Sequence, residues 1–340
     1  MFKTVCVITA VMVITGIGLT MVAYRASGCF DLFEDTALAA GLLPYGNGSV
    51  YEQPTEAPAR PMATQPQQET PTEKPRKTTH SGSRYPVSEI NISTGDVSYD
   101  NIQIENGTPY EPDYGALLSS ALPFELKSDH TVQVLIYHTH TCESYLDEDT
   151  GSYYEDFYPR STDGSQGVIA VGDSIAAELK SHGIGVIHDT TLHDYPSYEG
   201  SYGRSWDTIS AYAEKYPGIK VTIDIHRDSM TAQDGTKYKP TFTYNGQKAA
   251  QIMIMTGYDE TDRFPFWDEN LIFALKLQKQ CEDLYPGMTR PLDFGEFAYN
   301  MNFNNGSLLI EVGTDANTVE EATRSGNLLG NALSSVLQKG

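Results

Sequence analysis

Only four cysteines occur in 340 residues, and no two stand as a CxxC pair, so no disulfide framework organises this chain. Cys6 lies in an apolar leader, Cys29 just beyond it, Cys142 in a polar motif and Cys281 in a predicted helix. Basic residues are also scarce: 23 Lys and Arg face 45 Asp and Glu, a formal net charge of -22. Phosphate binding needs a basic face, which makes nucleic acid and anionic membrane surfaces poor partners. A neutral, cationic or polymeric substrate stays open. No internal repeat recurs, and the length suffices for one large or two ordinary domains with a substantial core.

The ends of the chain differ in kind. Val5 to Tyr24 is uncharged and almost wholly apolar, flanked by Lys3 and Arg25. About 20 such residues at 1.5 Å rise would cross a hydrocarbon core of roughly 30 Å. The stretch predicts an N-terminal membrane anchor within residues 1–29; a cleaved signal peptide, with Ala23 and Ala26 near the cut, is the rival reading. Either places the remainder outside the cytoplasm, and the anchor makes the protein single-pass in the cell membrane. Residues 30–94 read as a short amphipathic segment, Phe30 to Leu43, followed by a Pro/Thr-rich linker too poor in apolar groups to order itself.

From about residue 95 to the C-terminus the pattern alternates. Val134 to Tyr137 is a buried-strand run, and Gly167 to Ser181 carries Val168, Val171, Ile175 and Leu179 at helical spacing. Strands are then expected at Gly183–His188, Lys220–His226, Gln251–Gly257 and Ser307–Gly313. Helices are expected at Tyr202–Tyr216, Glu269–Leu284 and Thr318–Leu337. Such alternation predicts an α/β domain, a largely parallel sheet flanked by helices.

The polar residues fall at strand ends. His138 and His140 follow the first strand, His188 ends the second, His226 ends the third, and Glu311 lies near the end of the fifth. In open α/β sheets the functional crevice lies outside the carboxyl ends of the strands, so these residues should converge on one rim. Imidazole with carboxylate suits zinc, which in catalytic sites takes three protein ligands and leaves a place for water. Glu311, set in the apolar run LLIEVG, is the candidate general base; its bland role is a buried ion pair with Arg227. Thiolate catalysis by Cys142 is the weaker reading, because no orienting group accompanies it. Arg227 and Asp228 after the third strand, with Tyr195 and Tyr198 after the second, read as substrate-binding loops.

Together HTHTCESY, HDTTLHDYPSY, DIHRDS and LLIEVGTDANTVEEA resemble the stage II sporulation protein P family, peptidoglycan hydrolases of endospore-forming Firmicutes. The resemblance covers the chain from about Val132 onward. It implies an amidase_3-like fold, Zn2+ as cofactor, and cleavage of the amide between N-acetylmuramic acid and the stem-peptide L-alanine. It also implies endopeptidase action on stem cross-links, stage II sporulation proteins D and M as partners, and a role in septal thinning and engulfment in the intermembrane space. VLIYHTH matches the amidase motif VLIDPGH and puts His140 on a zinc ligand. TIDIHRD matches the motif around SIHAN and puts His226 on a second, while LLIEVGT matches VLVELGF and puts Glu311 on the catalytic carboxylate. The amidases take a third ligand from a glutamate at the start of the first helix, where this chain has Gln166. Glu143 is the first replacement, His188 the second and His138 the third. Two other classes of function are compatible with the same residues: an inactive peptidoglycan-binding module, and a metal-dependent deacetylase of wall polysaccharide.

Overall fold

The computed structural model describes residues 82–338 apart from 128, 260 and 262. In chain order these form β1 (Arg84–Ile90), β2 (Val97–Tyr99), β3 (Ile102–Asn106), α1 (Tyr114–Ser119), β4 (Val132–Tyr137), β5 (Ser152–Tyr154), α2 (Val168–Ser181) and β6 (Gly185–His188). Then follow α3 (Ser201–Lys215), β7 (Val221–Asp228), β8 (Lys237–Tyr244), β9 (Gln247–Ala250), β10 (Ile252–Gly257), α4 (Trp267–Leu284), β11 (Leu292–Gly295), β12 (Ser307–Thr314) and α5 (Val319–Leu337).

The main sheet has eight strands in the order β2-β3-β11-β10-β12-β7-β4-β6. The expectation of a largely parallel arrangement is corrected: the sheet is mixed, because β10 runs antiparallel to β12 and β2 antiparallel to β3. A second, four-stranded sheet, β5-β1-β8-β9, is mixed too and was not foreseen. Its strand β1 falls within the expected linker, yet residues 87–90 pair in parallel with residues 237–240 of β8. The rest of the linker expectation lies outside the described residues.

The membrane expectations are corrected as well. Among the described residues no helix is long and apolar enough to cross a membrane. A single-pass topology, a location in the cell membrane and a membrane partner therefore find no support in the fold. Val5 to Tyr24, on which they rested, lies outside the described residues.

Alternation along each strand sorts the sheet into two faces. Ile136, Ile223, Ile225, Ile310, Val312 and Ile254 join the main core, to which α2, α4 and α5 contribute Val171, Ile175, Leu271, Leu275, Leu329 and Leu333. Each such side chain withdrawn from water contributes about 1.5–3 kcal/mol before chain entropy is counted. Helix α5 fits against α2 through small residues: a Cβ at Gly326 would meet the Val171 carbonyl at 3.0 Å, and one at Gly330 the Cβ of Glu178 at 2.7 Å. Thr318 and Glu321 close a reciprocal capping box at the start of α5.

The opposite face carries smaller apolar groups, Leu135 and Tyr137 packed with Ile209 of α3, and Met255, Leu309 and Met301 farther along. Between them the register aligns Tyr137 with Asp224, Leu309 with Asp224, Glu311 with His226, and Met253 with Glu311. Asp224, His226 and Glu311 thus share this one face. At the end of β12 the pairing with β7 shifts between Glu311 and Thr314, and Gly313 there has φ +64. Such a bulge re-aims the strand end.

Candidate metal centre

The turn after β4 is held from below. The Thr139 amide donates to Asp224 Oδ1 at 2.8 Å, and its hydroxyl donates to Asp224 Oδ2 at 2.6 Å. The loop after β6 clasps it from the side: the Cys142 amide donates to Asp194 Oδ1 at 3.0 Å, and the Thr141 hydroxyl donates to the Thr191 carbonyl at 2.7 Å. The Glu143 amide donates back to the His140 carbonyl at 3.2 Å, which folds the two side chains together.

His140 Nδ1 lies 3.4 Å from Glu143 Oε1, and His226 Nδ1 lies 3.6 Å from Glu143 Oε2. The two imidazoles stand edge to face with centroids 4.9 Å apart. One donor atom from each of His140, Glu143 and His226 lies within 4.8 Å of the others, and all three residues are buried. Two ligand atoms about 2.0–2.1 Å from a tetrahedral ion stand roughly 3.3–3.4 Å apart, close to the spacings observed. His140 Nε2 is buried without a hydrogen-bond partner, as is Glu311 Oε2. His226 Nε2 lies 2.9 Å from Asp224 Oδ1 in an ion-pair contact whose geometry makes no hydrogen bond. These residues fit a metal ion.

Electrostatics agree. Burial by itself disfavours the His226 imidazolium, but the carboxylates of Asp224, Glu143 and Glu311 outweigh it and raise its pKa to about 10. So negative a pocket calls for positive charge, which a cation can supply in place of the proton. Burial would raise the Glu143 carboxyl, but Arg227 and the two histidines hold it well below the usual range. Glu311 goes the other way: burial, with Asp228 and Glu143 nearby, lifts it above the usual carboxylate range despite the pull of His226. The residue as a whole is half-buried, but its Oε2 is sealed from water.

The other expected residues divide. His188 and His138 stand apart from the donor set. Their Nε2 atoms are 2.8 Å apart against Gly172 of α2, His138 Nδ1 donates to the Ile225 carbonyl at 2.8 Å, and His188 Nδ1 faces Asp173 Oδ1 at 2.9 Å. Glu143, by contrast, stands beside the start of α2, its carbonyl accepting from the Val168 amide at 3.0 Å. That is the place where the resemblance seeks a carboxylate and finds Gln166. Arg227, expected to bind substrate, turns inward: its guanidinium donates to the carbonyls of Ser144, Pro159 and Asp228. Asp228 accepts from Arg290 Nη1 at 2.8 Å. The Tyr198 ring stacks on His140 at 4.5 Å and lies under the Arg160 guanidinium, while Tyr195 is half-buried in the same loop. Burial, and Asp194 after it, push the Cys142 thiol up to about 12, which disfavours its thiolate.

Sequence reasoning missed Asp224, which steadies both Thr139 and His226. A signal existed: a carboxylate inside the apolar run TIDIH is the same anomaly that singled out Glu311.

Fold and site together define an α/β protein with a buried His–Glu–His cluster able to hold a metal ion, bordered by a buried carboxylate. The chain belongs to the Stage II sporulation protein P (SpoIIP) family, whose model matches residues 45–334. It is 31% identical over 207 residues to Stage II sporulation protein P of Bacillus subtilis (strain 168), covering 57% of this chain and 48% of the relative. The chain therefore spans about half the length of that relative. Among solved structures it is similar to N-acetylmuramoyl-L-alanine amidase AmiC2 of Nostoc punctiforme (14% identity, TM-score 0.36, 63% of this chain and 98% of that one). It is also similar to the CwlD amidase from Clostridioides difficile, solved in complex with the GerS lipoprotein (13% identity, TM-score 0.37, 61% of this chain and 97% of that one). Similarity at that level says nothing about chemistry.

Proposed function

We propose that this protein is a zinc-dependent peptidoglycan hydrolase that cleaves the amide between N-acetylmuramic acid and the stem-peptide L-alanine, and also stem cross-links, during sporulation. The observation that carries this reading is the buried, unpartnered Oε2 of Glu311 on the strand position paired with His226 of the donor set. The family bears sporulation in its name, which supports that part of the reading from outside.

His140, Glu143 and His226 would hold the zinc. When bound, zinc polarises a carbonyl oxygen and makes water more acidic near neutral pH. Glu311 takes the attacking water's proton and returns it to the departing nitrogen, a role suited to a carboxyl raised by burial. Asp224 keeps the His226 ring in place. Arg227 orients Glu143, donating from its main-chain amide to Glu143 Oε2 at 3.0 Å.

The test is to incubate the full chain with peptidoglycan sacculi, with zinc and after chelation, and identify soluble products by mass spectrometry. Zinc-dependent release of free stem peptides is expected. Acetate released with stems still attached would indicate a deacetylase, and binding without products an inactive module.

A further inference from the structure

Seven large hydrophobic side chains are exposed among the described residues, and three of them, Tyr198, Trp206 and Tyr299, lie on one aromatic seam beside the donor set. From Tyr198 to Phe297 the rings form one run of contacts through His140. Tyr198 stacks on His140 at 4.5 Å, and Tyr202 meets the same imidazole edge-on at 5.4 Å. Tyr299 stacks on Tyr202 at 5.4 Å with 28° between the planes, and Phe297 stacks on Tyr299 at 5.1 Å. One helical turn beyond Tyr202, Trp206 packs edge-on against Phe303 of the same loop at 5.3 Å.

The seam is held in a conformation that its own residues disfavour. Tyr299 has φ +42, a region that bulky side chains seldom adopt, and is followed by Asn300 at φ +61, where asparagine is common. Asn300 Nδ2 donates to the Tyr202 carbonyl and to Ser205 Oγ, each at 3.0 Å, and so pins the loop to α3. Such strain persists where the surroundings over-determine it, and here it sets the Tyr299 ring beside Tyr202.

We propose that Tyr198, Tyr299 and Trp206, backed by Tyr202, form a platform for the pyranose rings of a glycan strand. An aromatic face offers a flat apolar surface to the C–H face of a sugar ring, with hydroxyls left free at the rim. Bases of a single-stranded nucleic acid also stack on such rings, but they come with phosphates that a net charge of -22 repels. A neutral polysaccharide meets no such penalty. Besides His226 and Glu143 of the donor set, Glu311 has charged neighbours in Asp228 at the end of β7 and Arg290 just before β11. The identity of the polymer rests on the hydrolase reading; the platform itself does not.

The test measures binding of a β-1,4-linked N-acetylglucosamine hexasaccharide to the full chain by calorimetry, with free stem peptide as the second probe. The wild type binds the hexasaccharide; Tyr299→Ala weakens that affinity about tenfold and leaves stem-peptide affinity unchanged, while Tyr299→Trp retains it. If the wild type does not bind the hexasaccharide, or Tyr299→Ala leaves its affinity unchanged, the platform is overturned. Equal loss of both probes would make Tyr299 structural and overturn it too. Binding of the hexasaccharide that depends on Tyr299, in a chain that releases no stem peptides from sacculi, upholds the platform while the hydrolase reading fails.

Discussion

The main-chain amide of Arg227 donates to Glu143 Oε2 at 3.0 Å, so the residue that follows one candidate ligand fixes the carboxylate of another. Because Glu143 and His226 come from different elements, this bond ties the turn after β4 to the end of β7. The Arg227 guanidinium closes the same junction, donating to the carbonyls of Ser144 and Pro159.

Glu143 is the donor between the two imidazoles, and its replacement should empty the centre. Glu143→Ala is expected to lose stoichiometric zinc after dialysis, as read by elemental analysis, whereas His188→Ala keeps it. Zinc retained by Glu143→Ala and lost by His188→Ala would move the centre to the His138–His188 pair.

Glu311 lies beside the donor set rather than within it. Glu311→Gln should keep its zinc and its fold but lose hydrolysis of sacculi by on the order of 10²- to 10⁴-fold, the usual range for a positioned proton carrier. Full activity in this variant would remove Glu311 from the chemistry.

Gly172 supports the histidine pair by lacking a side chain. A Cβ there would lie 2.4 Å from His188 Nε2 and 2.9 Å from His138 Nε2. Overpacking of this kind costs about 1–3 kcal/mol, against roughly 1 kcal/mol gained in helix propensity. Gly172→Ala should therefore lower the urea midpoint; an unchanged or raised midpoint would show that the two rings can step aside.

Asp293 supplies a pH dependence of stability. Burial, with Glu105 and Asp228 nearby, raises its pKa to about 7 in spite of Arg290. The folded state thus holds this proton more tightly than the unfolded chain does. Its contribution is fully present below the unfolded value near 4 and is lost as pH rises through about 7, a change of about 4 kcal/mol at most. Urea unfolding at pH 5 and pH 8 should show the fall, and Asp293→Asn should flatten it. An equally steep fall in the variant would assign it to other groups.

Much of the fold was legible because local patterns carry it. The strand run before His140 and the spacing of Val168, Val171, Ile175 and Leu179 in α2 declare their elements without knowledge of any partner. KYKPTFTY did not read as a strand, because Lys237 and Lys239 look like surface residues. They are buried in β8 since distant carboxylates meet them: Asp315 for Lys237, and Asp149 at 2.7 Å with Glu321 at 2.9 Å for Lys239. No window of eight residues contains those partners.

What the sequence determined by itself was the supply of chemistry: two histidines at strand ends, a carboxylate in an apolar strand, and an acidic surface unsuited to phosphate. Tertiary structure alone decided that Glu143 joins His140 and His226 while His138 and His188 pair against α2. It also decided that Arg227 faces inward and that β10 reverses direction beside β12. Each depends on which residues meet across 50 or more positions of chain, and such meetings follow from the packing of the whole sheet, which no local periodicity records.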